Sequence, residues 1–406
     1  MLRMVSANRP RSTPSGIVLL AVAILASGCG LGSGPGTPTP SDSAGPGGGG
    51  TPPPSCAVRV LASLSESQRV GQLFLLGLGG DRLGPATRRA IRVHHVGSVW
   101  FVATTSAGVQ GVRAVADAVQ AQTSSANTGG VGFYVAANQE GGQVQALQGP
   151  GFSQIPSALA QGALAPSTLR TDAAGWGGEL AAAGVNLNFA PVMDVVPPGT
   201  DAENQPIGAL QRAFGHDPGT TGRHGLAFVR GMRTAGVATT AKHFPGLGRV
   251  VGNTDFTAQV TDTVTTPEDP YLASFRRVIR GGVPFVMVAL ATYTRIDPDR
   301  LAVFSPVVIQ TMLRRDLGFR GVVVSDDLGS AVAVAGIPPA DRAIDFIQAG
   351  GDMIVSKTAG PAGTMASALV ARSGTDPAFR RRIDQAALRV LETKQASGLL
   401  PCVARG

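Results

Sequence analysis

Lysine is almost missing from this chain. Of 34 basic residues only Lys242, Lys357 and Lys394 are lysines, and the rest are arginines scattered along the sequence. Aromatic residues make up 5%. A nucleic-acid face needs a basic stripe or an aromatic platform, so the net charge of +8 does not imply that partner. The excess can favour retention near anionic envelope polymers, or it reflects an Arg- and Ala-rich genome. Histidine is scarce too, five residues in all with none after His243. His94-His95 has no carboxylate or cysteine at ligand spacing, so no metal site is expected. No Gly-x-Gly-x-x-Gly turn follows the first apolar strand and no Walker-type lysine occurs, which argues against a doubly wound open sheet. No cofactor is expected, and no internal repeat is visible.

The N-terminal part is built for export. Residues 1–28 read as a signal: Arg3, Arg9 and Arg11 precede the apolar run Ile17–Ala26, which is too short to span a bilayer. The run ends in Ala26-Ser27-Gly28-Cys29, which resembles a bacterial lipobox. That makes Cys29 the lipidated mature N-terminus and holds the protein on the outer face of the cell membrane or in the envelope. Residues 29–55 are nearly all Gly, Pro, Ser and Thr, too poor in apolar side chains to offset ordering entropy. They form a tether. The folded part is residues 56–406, expected to be a monomer.

With Cys29 lipidated, Cys56 and Cys402 remain at the two ends of that part, in an oxidising compartment. A bridge between them is expected, and it requires the two ends to meet, as in a closed barrel.

Short apolar runs alternate with helical stretches from Cys56 onward. Strands are expected at Gln72–Leu78, Ser98–Ala103, Gly132–Ala137, Asn186–Met193, Val237–His243, Pro284–Ala289, Gly321–Asp326 and Asp352–Ser356. Helices are expected at Gly108–Gln122, Ser167–Ala183, Thr220–Ala235, Pro270–Arg280, Ser305–Leu317, Ala340–Ala349 and Pro377–Gly398. Apolar strands separated by helices imply a parallel sheet covered on both faces. Eight of them fit a single (β/α)8 TIM-type barrel, with a doubly wound open sheet as the alternative.

Polar residues gather where these strands stop. Asn138-Gln139-Glu140-Gly141-Gly142 follows the third, Met193-Asp194 ends the fourth, and the loop beyond carries Arg212-Ala213-Phe214-Gly215. Ala241–Asp255, AKHFPGLGRVVGNTD, stands out most: Lys242 and His243 end the fifth strand and turn through glycines. Strand C-terminal edges are where parallel α/β folds build their sites. The seventh strand ends in Ser325-Asp326-Asp327. Carboxylates at the end of a buried strand carry a desolvation cost unless used or paired. Asp326 is the candidate nucleophile, and Asp327 suits a helix N-cap. Lys242 and Arg212 are expected to keep Asp326 ionised and to hold hydroxyl groups.

The order NQEGGQVQ, FAPVMDV, RAFG, KHFPGLG, LRRDLGFRGVVVSDDL and AGGDMIV resembles the family-3 glycoside hydrolases. Within that family it is most similar to bacterial β-N-acetylglucosaminidases acting on cell-wall fragments. The likeness covers Leu61–Leu399. It implies a single-domain barrel that removes terminal β-linked N-acetylglucosamine with retention, through a covalent glycosyl-enzyme. It implies Asp326 as nucleophile, and Asn138, Arg212, Lys242 and His243 as contacts to sugar hydroxyls. The glycan substrate would be a peptidoglycan fragment.

Two positions depart from the pattern. Asn138 stands where these enzymes carry aspartate, so it offers hydrogen bonds without charge. Asn253-Thr254-Asp255 stands where they carry Asp-Ser-His, whose histidine is the acid/base. Asp255 is then the expected replacement, because paired carboxylates are the commoner arrangement in glycosidases. Gly246, Gly248 and Gly252 are expected to let its loop swing. A glycan-binding protein on a decayed scaffold, or a family-3 enzyme for another sugar, are the alternatives.

Overall fold

A computed structural model describes residues 54–402. The expected signal and most of the tether, with Cys29, lie outside the described residues. Eight parallel strands close into a barrel: β1 (Phe74–Leu78), β2 (Ser98–Phe101), β3 (Tyr134–Ala137), β4 (Leu187–Asn188), β5 (Ala238–Phe244), β6 (Phe285–Val288), β7 (Val322–Asp327) and β8 (Met353–Ser356). Each pairs with its neighbour in sequence, and β8 returns to β1 with Ile354 opposite Phe74. This is the expected (β/α)8 barrel. β1, β2, β3, β6 and β8 are buried along their whole length. Side chains on one face fill the barrel and those on the other meet the helices, so the strands read apolar without alternation.

Boundaries differ from expectation where backbone chemistry intervenes. Gln72 closes a helix, Glu66–Gln72, started by a capping box between Ser65 and Gln68, so β1 begins at Phe74. β4 is only Leu187–Asn188, not Asn186–Met193. Pro191 brings no N–H to the ladder. The chain still follows β5 through single bonds: Thr240 N–H donates to the Ala190 carbonyl and Met193 N–H to that of Lys242.

Helices Cys56–Ser63, Pro85–His94 and Ala359–Thr375 were not foreseen. Ala359–Thr375 contains Gly360, Pro361 and Gly363, poor helix formers. Burial of Ala362, Met365, Ala366 and Leu369 stabilises it nonetheless.

The two ends do meet. Cys56 and Cys402 form a disulfide with Cα atoms 6.0 Å apart. Around it Ala57, Val60 and Leu64 pack with Val131, Leu391 and Leu400. Gly132 N–H, just before β3, donates to the Leu399 carbonyl at 2.8 Å, so this closure lies at the barrel's N-terminal face.

Lys394 plugs that face. Fully buried, its Nζ donates to Gln72 Oε1 and the Gly97 carbonyl at 2.8 Å, and to the Gly132 carbonyl at 2.9 Å. It thereby ties together the starts of β1, β2 and β3. Burial lowers its pKa to about 7. The unfolded chain keeps this proton until near 10.5, so it binds more protons than the fold between those values. Stability should therefore rise with pH from about 7 upward. Urea unfolding of wild type against Lys394→Met should show a relative gain for wild type on the order of 2 kcal/mol between pH 7 and 9. Equal pH dependence in the two proteins would show that Lys394 does not titrate there.

Candidate active site

The strands' C-terminal ends surround a cavity of about 260 Å³. It is lined by all six residues singled out from the sequence: Asn138, Arg212, Lys242, His243, Asp255 and Asp326. A space of this size is at the small end for ligand sites and suits one sugar ring. Lys357, Asp327 and Trp100 line it as well.

Glu140 is the hub that the sequence reading missed. It follows β3 and is 4% exposed. Arg212 grips it with two parallel bonds, Nε to Oε2 and Nη2 to Oε1, both 2.8 Å. Lys242 Nζ lies 2.6 Å from Oε1 and also donates to Asn138 Oδ1 at 2.8 Å. Burial alone would raise Glu140, but the charges and hydrogen bonds of Arg212 and Lys242 hold its carboxyl at about 2. The two cations expected to serve Asp326 are therefore paired first with Glu140. Burial lowers the Lys242 ammonium in turn, with Glu140 opposing and Arg212 adding to the effect.

Glu140→Gln leaves two buried cations uncompensated, and should cost about 3–5 kcal/mol. Because the folded pKa is about 2 and the ordinary value 4.5, the charge stabilises fully above pH 4.5 and is lost as pH falls through 2. Acid titration of unfolding should be flatter in the variant across that window. An unchanged acid limb would contradict the assignment.

His243 is oriented by Asp194, a second residue the sequence reading did not select. Asp194 is fully buried at the end of the segment following β4. Its Oδ2 is 2.8 Å from His243 Nδ1, and its Oδ1 accepts the N–H groups of His243 at 3.1 Å and Leu247 at 2.8 Å. The carboxylate fixes both the ring and the turn that follows. It leaves Nε2 as the ring nitrogen without a protein partner among the described residues.

Asp326 ends β7, as expected. One of its oxygens, Oδ1, accepts Asp327 N–H at 2.8 Å. Burial raises its pKa; His243 opposes this, the Asp255 carboxylate adds to it, and Lys242 opposes it weakly. The balance is upward from the ordinary aspartate value, with burial the largest cause. Asp327 caps no α-helix. Its oxygens accept the N–H groups of Gly329 and Lys357 at 2.9 and 2.8 Å, and the Ser330 N–H and hydroxyl.

Asp255 reaches the cavity on the loop after β5. Lys357, one residue beyond β8, places its Nζ 3.0 Å from Asp255 Oδ1 and 3.9 Å from Asp327 Oδ2. Val332 and Ala333 N–H donate to the carbonyls of Asp255 and Thr254. The start of the loop is anchored: Asn204 Nδ2 donates to the Leu247 and Val250 carbonyls, and Arg249 pairs with Asp269 at 2.5 Å while lying over the Tyr271 ring. Gly248 is no hinge. A Cβ there would sit 1.9 Å from the Val195 carbonyl oxygen, so the glycine permits close packing. Freedom is left to the outer part, where Val251 and Phe256 are 62% and 78% exposed.

Lys357 carried a signal that was available, its rarity among three lysines. Glu140 and Asp194 stood inside quoted motifs. Trp176 packs outside the barrel against Phe228, whereas Trp100 lines the cavity beside Phe189.

The family described as "Glycosyl hydrolase family 3 N terminal domain" matches residues 66–393. A β-N-acetylhexosaminidase of known structure from Beutenbergia cavernae is 49% identical and superposes with a TM-score of 0.80. That alignment covers 82% of this chain and 99% of that one. A β-hexosaminidase of Stenotrophomonas maltophilia is 32% identical over 298 residues, 70% of this chain and 82% of the relative. One from Vibrio cholerae is 37% identical over 224 residues, 54% of this chain; the chain spans 64% of that relative's length. A match of this extent, on a barrel that brings the matched strand ends to one mouth, makes the chain a member of glycosyl hydrolase family 3.

Proposed function

We propose that this protein is a retaining exo-β-N-acetylglucosaminidase that trims peptidoglycan-derived fragments. The observation that carries the reading is the meeting of Asp326 and Asp255 in one small cavity, close enough for the charge of Asp255 to raise Asp326. In the first step Asp326 attacks the anomeric carbon and the glycosidic bond breaks. Asp255 gives its proton to the departing oxygen. In the second, Asp255 takes a proton from water, which attacks the same carbon and releases Asp326. Two inversions give net retention.

The remaining groups bind. Lys242 occupies Asn138 Oδ1, which leaves the Asn138 amide nitrogen to donate to a sugar oxygen. Arg212 and Lys242, held rigid by Glu140, have hydrogens left for hydroxyls, and His243 presents Nε2. Kinetics on aryl β-N-acetylglucosaminide and aryl β-glucoside test the sugar class. We expect kcat/KM to favour the acetamido sugar by a factor of about a hundred or more. Preference for the glucoside would reject it.

Export and anchoring form part of the proposal. Lipidation at Cys29 would hold the enzyme on the outer face of the cell membrane. Cys29→Ser should then move the protein from the membrane fraction to the soluble one, and retention in the membrane would refute the anchor.

A second reading has one observation in its favour. Asp255 is already paired with Lys357, and no histidine stands on its loop. A binding protein would hold N-acetylglucosamine glycans without turning over even activated aryl substrates.

A further inference from the structure

The outer wall of the barrel carries a groove unrelated to the mouth. It runs between helices Pro166–Ala182 and Pro218–Thr234, with a volume of about 680 Å³. Arg170, Arg223, Arg230 and Arg277 line it, and no acidic side chain does. Among the described residues none of these four lies within ion-pair distance of a carboxylate, and the one acid in charge range is Asp217 beside Arg223, at the end of the groove. The groove is also firmly built. Arg233 donates to the carbonyls of Gly281 and Gly282, tying the helix Pro218–Thr234 to the end of the helix Ala273–Arg280. Gly222 leaves room for the stem of Arg277 to lie across that helix, its Cδ 3.0 Å from where a Cβ would stand.

We propose that this groove binds a linear polyanion of phosphate groups. Guanidinium forks match phosphate oxygens in pairs, and unpaired ones in a concave wall concentrate positive potential. Arg223 and Arg230 are two helical turns apart, about 10 Å along the axis. One phosphate does not bridge that distance, whereas a chain of them does. A membrane surface is the poorer occupant. The exposed large apolar residues, such as Val93, Val251 and Phe256, lie on other segments, so nothing in the groove inserts among lipids. The inference is independent of the proposed hydrolysis, because no groove residue lines the catalytic cavity.

The test is binding of long-chain inorganic polyphosphate to the full protein, followed by fluorescence anisotropy across a range of salt. The groove variant carries Arg170→Glu, Arg223→Glu and Arg230→Glu. The control carries Arg88→Glu, Arg89→Glu and Arg92→Glu, on the exposed face of the helix Pro85–His94, with the same change in net charge. We expect salt-sensitive binding that weakens by about tenfold or more in the groove variant and much less in the control. Arg→Gln versions of the same triples serve if a charge-reversed protein does not fold. Equal weakening in both triples would mean attraction to overall charge and overturn the site. So would competition by orthophosphate as strong as by the polymer at equal phosphorus. Loss of binding only to phosphatidylglycerol vesicles, with polyphosphate unaffected, would overturn the choice of occupant.

Discussion

Asp326→Ala is expected to lower turnover by about four to six orders of magnitude, because the covalent step has no other nucleophile in reach. The fold should survive. Glu140 pairs with Arg212 and Lys242 without help from Asp326, so the substitution leaves no cation newly orphaned. Burial raises the Asp326 carboxyl, which means its charge is held at a cost. Thermal unfolding should therefore shift little or upward. Rates with aryl N-acetylglucosaminide, together with the unfolding midpoint, check both parts. Residual turnover above a thousandth of wild type would reject Asp326 as nucleophile.

Covalent trapping gives the same question a second readout. A fluorinated slow substrate should label Asp326 and spare its neighbour. Asp327 is 2% exposed and its oxygens are engaged with Gly329, Ser330 and Lys357. A label on Asp327 would reverse the assignment.

The barrel was readable because strands buried on both faces, such as Val322-Val323-Val324, cannot belong to a half-exposed sheet. The mouth was readable because charged residues that end such strands need a use. Partnership was not readable. Glu140 lies far in sequence from Arg212 and Lys242, and only closure of the barrel brings them together. The same holds for Asp194 beneath His243 and for Lys357 beside Asp255. Hence burial and the Asp255 carboxylate, which together raise Asp326, were not visible from its neighbours along the chain. Local rules also failed where packing overrode them, as in Ala359–Thr375.

Asp255→Ala should separate leaving groups. Hydrolysis of glycans and of aryl glycosides with poor leaving groups should fall by about 10² to 10⁴, the usual worth of general acid catalysis. Substrates with strongly acidic phenols need no proton and should form the glycosyl-enzyme at nearly the wild-type rate. Its breakdown should then be slow, and azide should rescue it as a β-glycosyl azide. The structure adds a condition. Lys357 Nζ is 3.0 Å from Asp255 Oδ1, so the pair must part before that oxygen can face the leaving group. Contact with Asp327 at 3.9 Å gives Lys357 somewhere to go, while the bonds from Val332 and Ala333 keep the Asp255 backbone in place. A further sign follows from charge. The Asp255 carboxylate raises Asp326, so removing it lowers Asp326. With an activated phenol, the acid limb of kcat/KM for Asp255→Ala should therefore move to lower pH. If good and poor leaving groups slow equally, azide rescues neither, and the acid limb stays in place, Asp255 is not the acid/base.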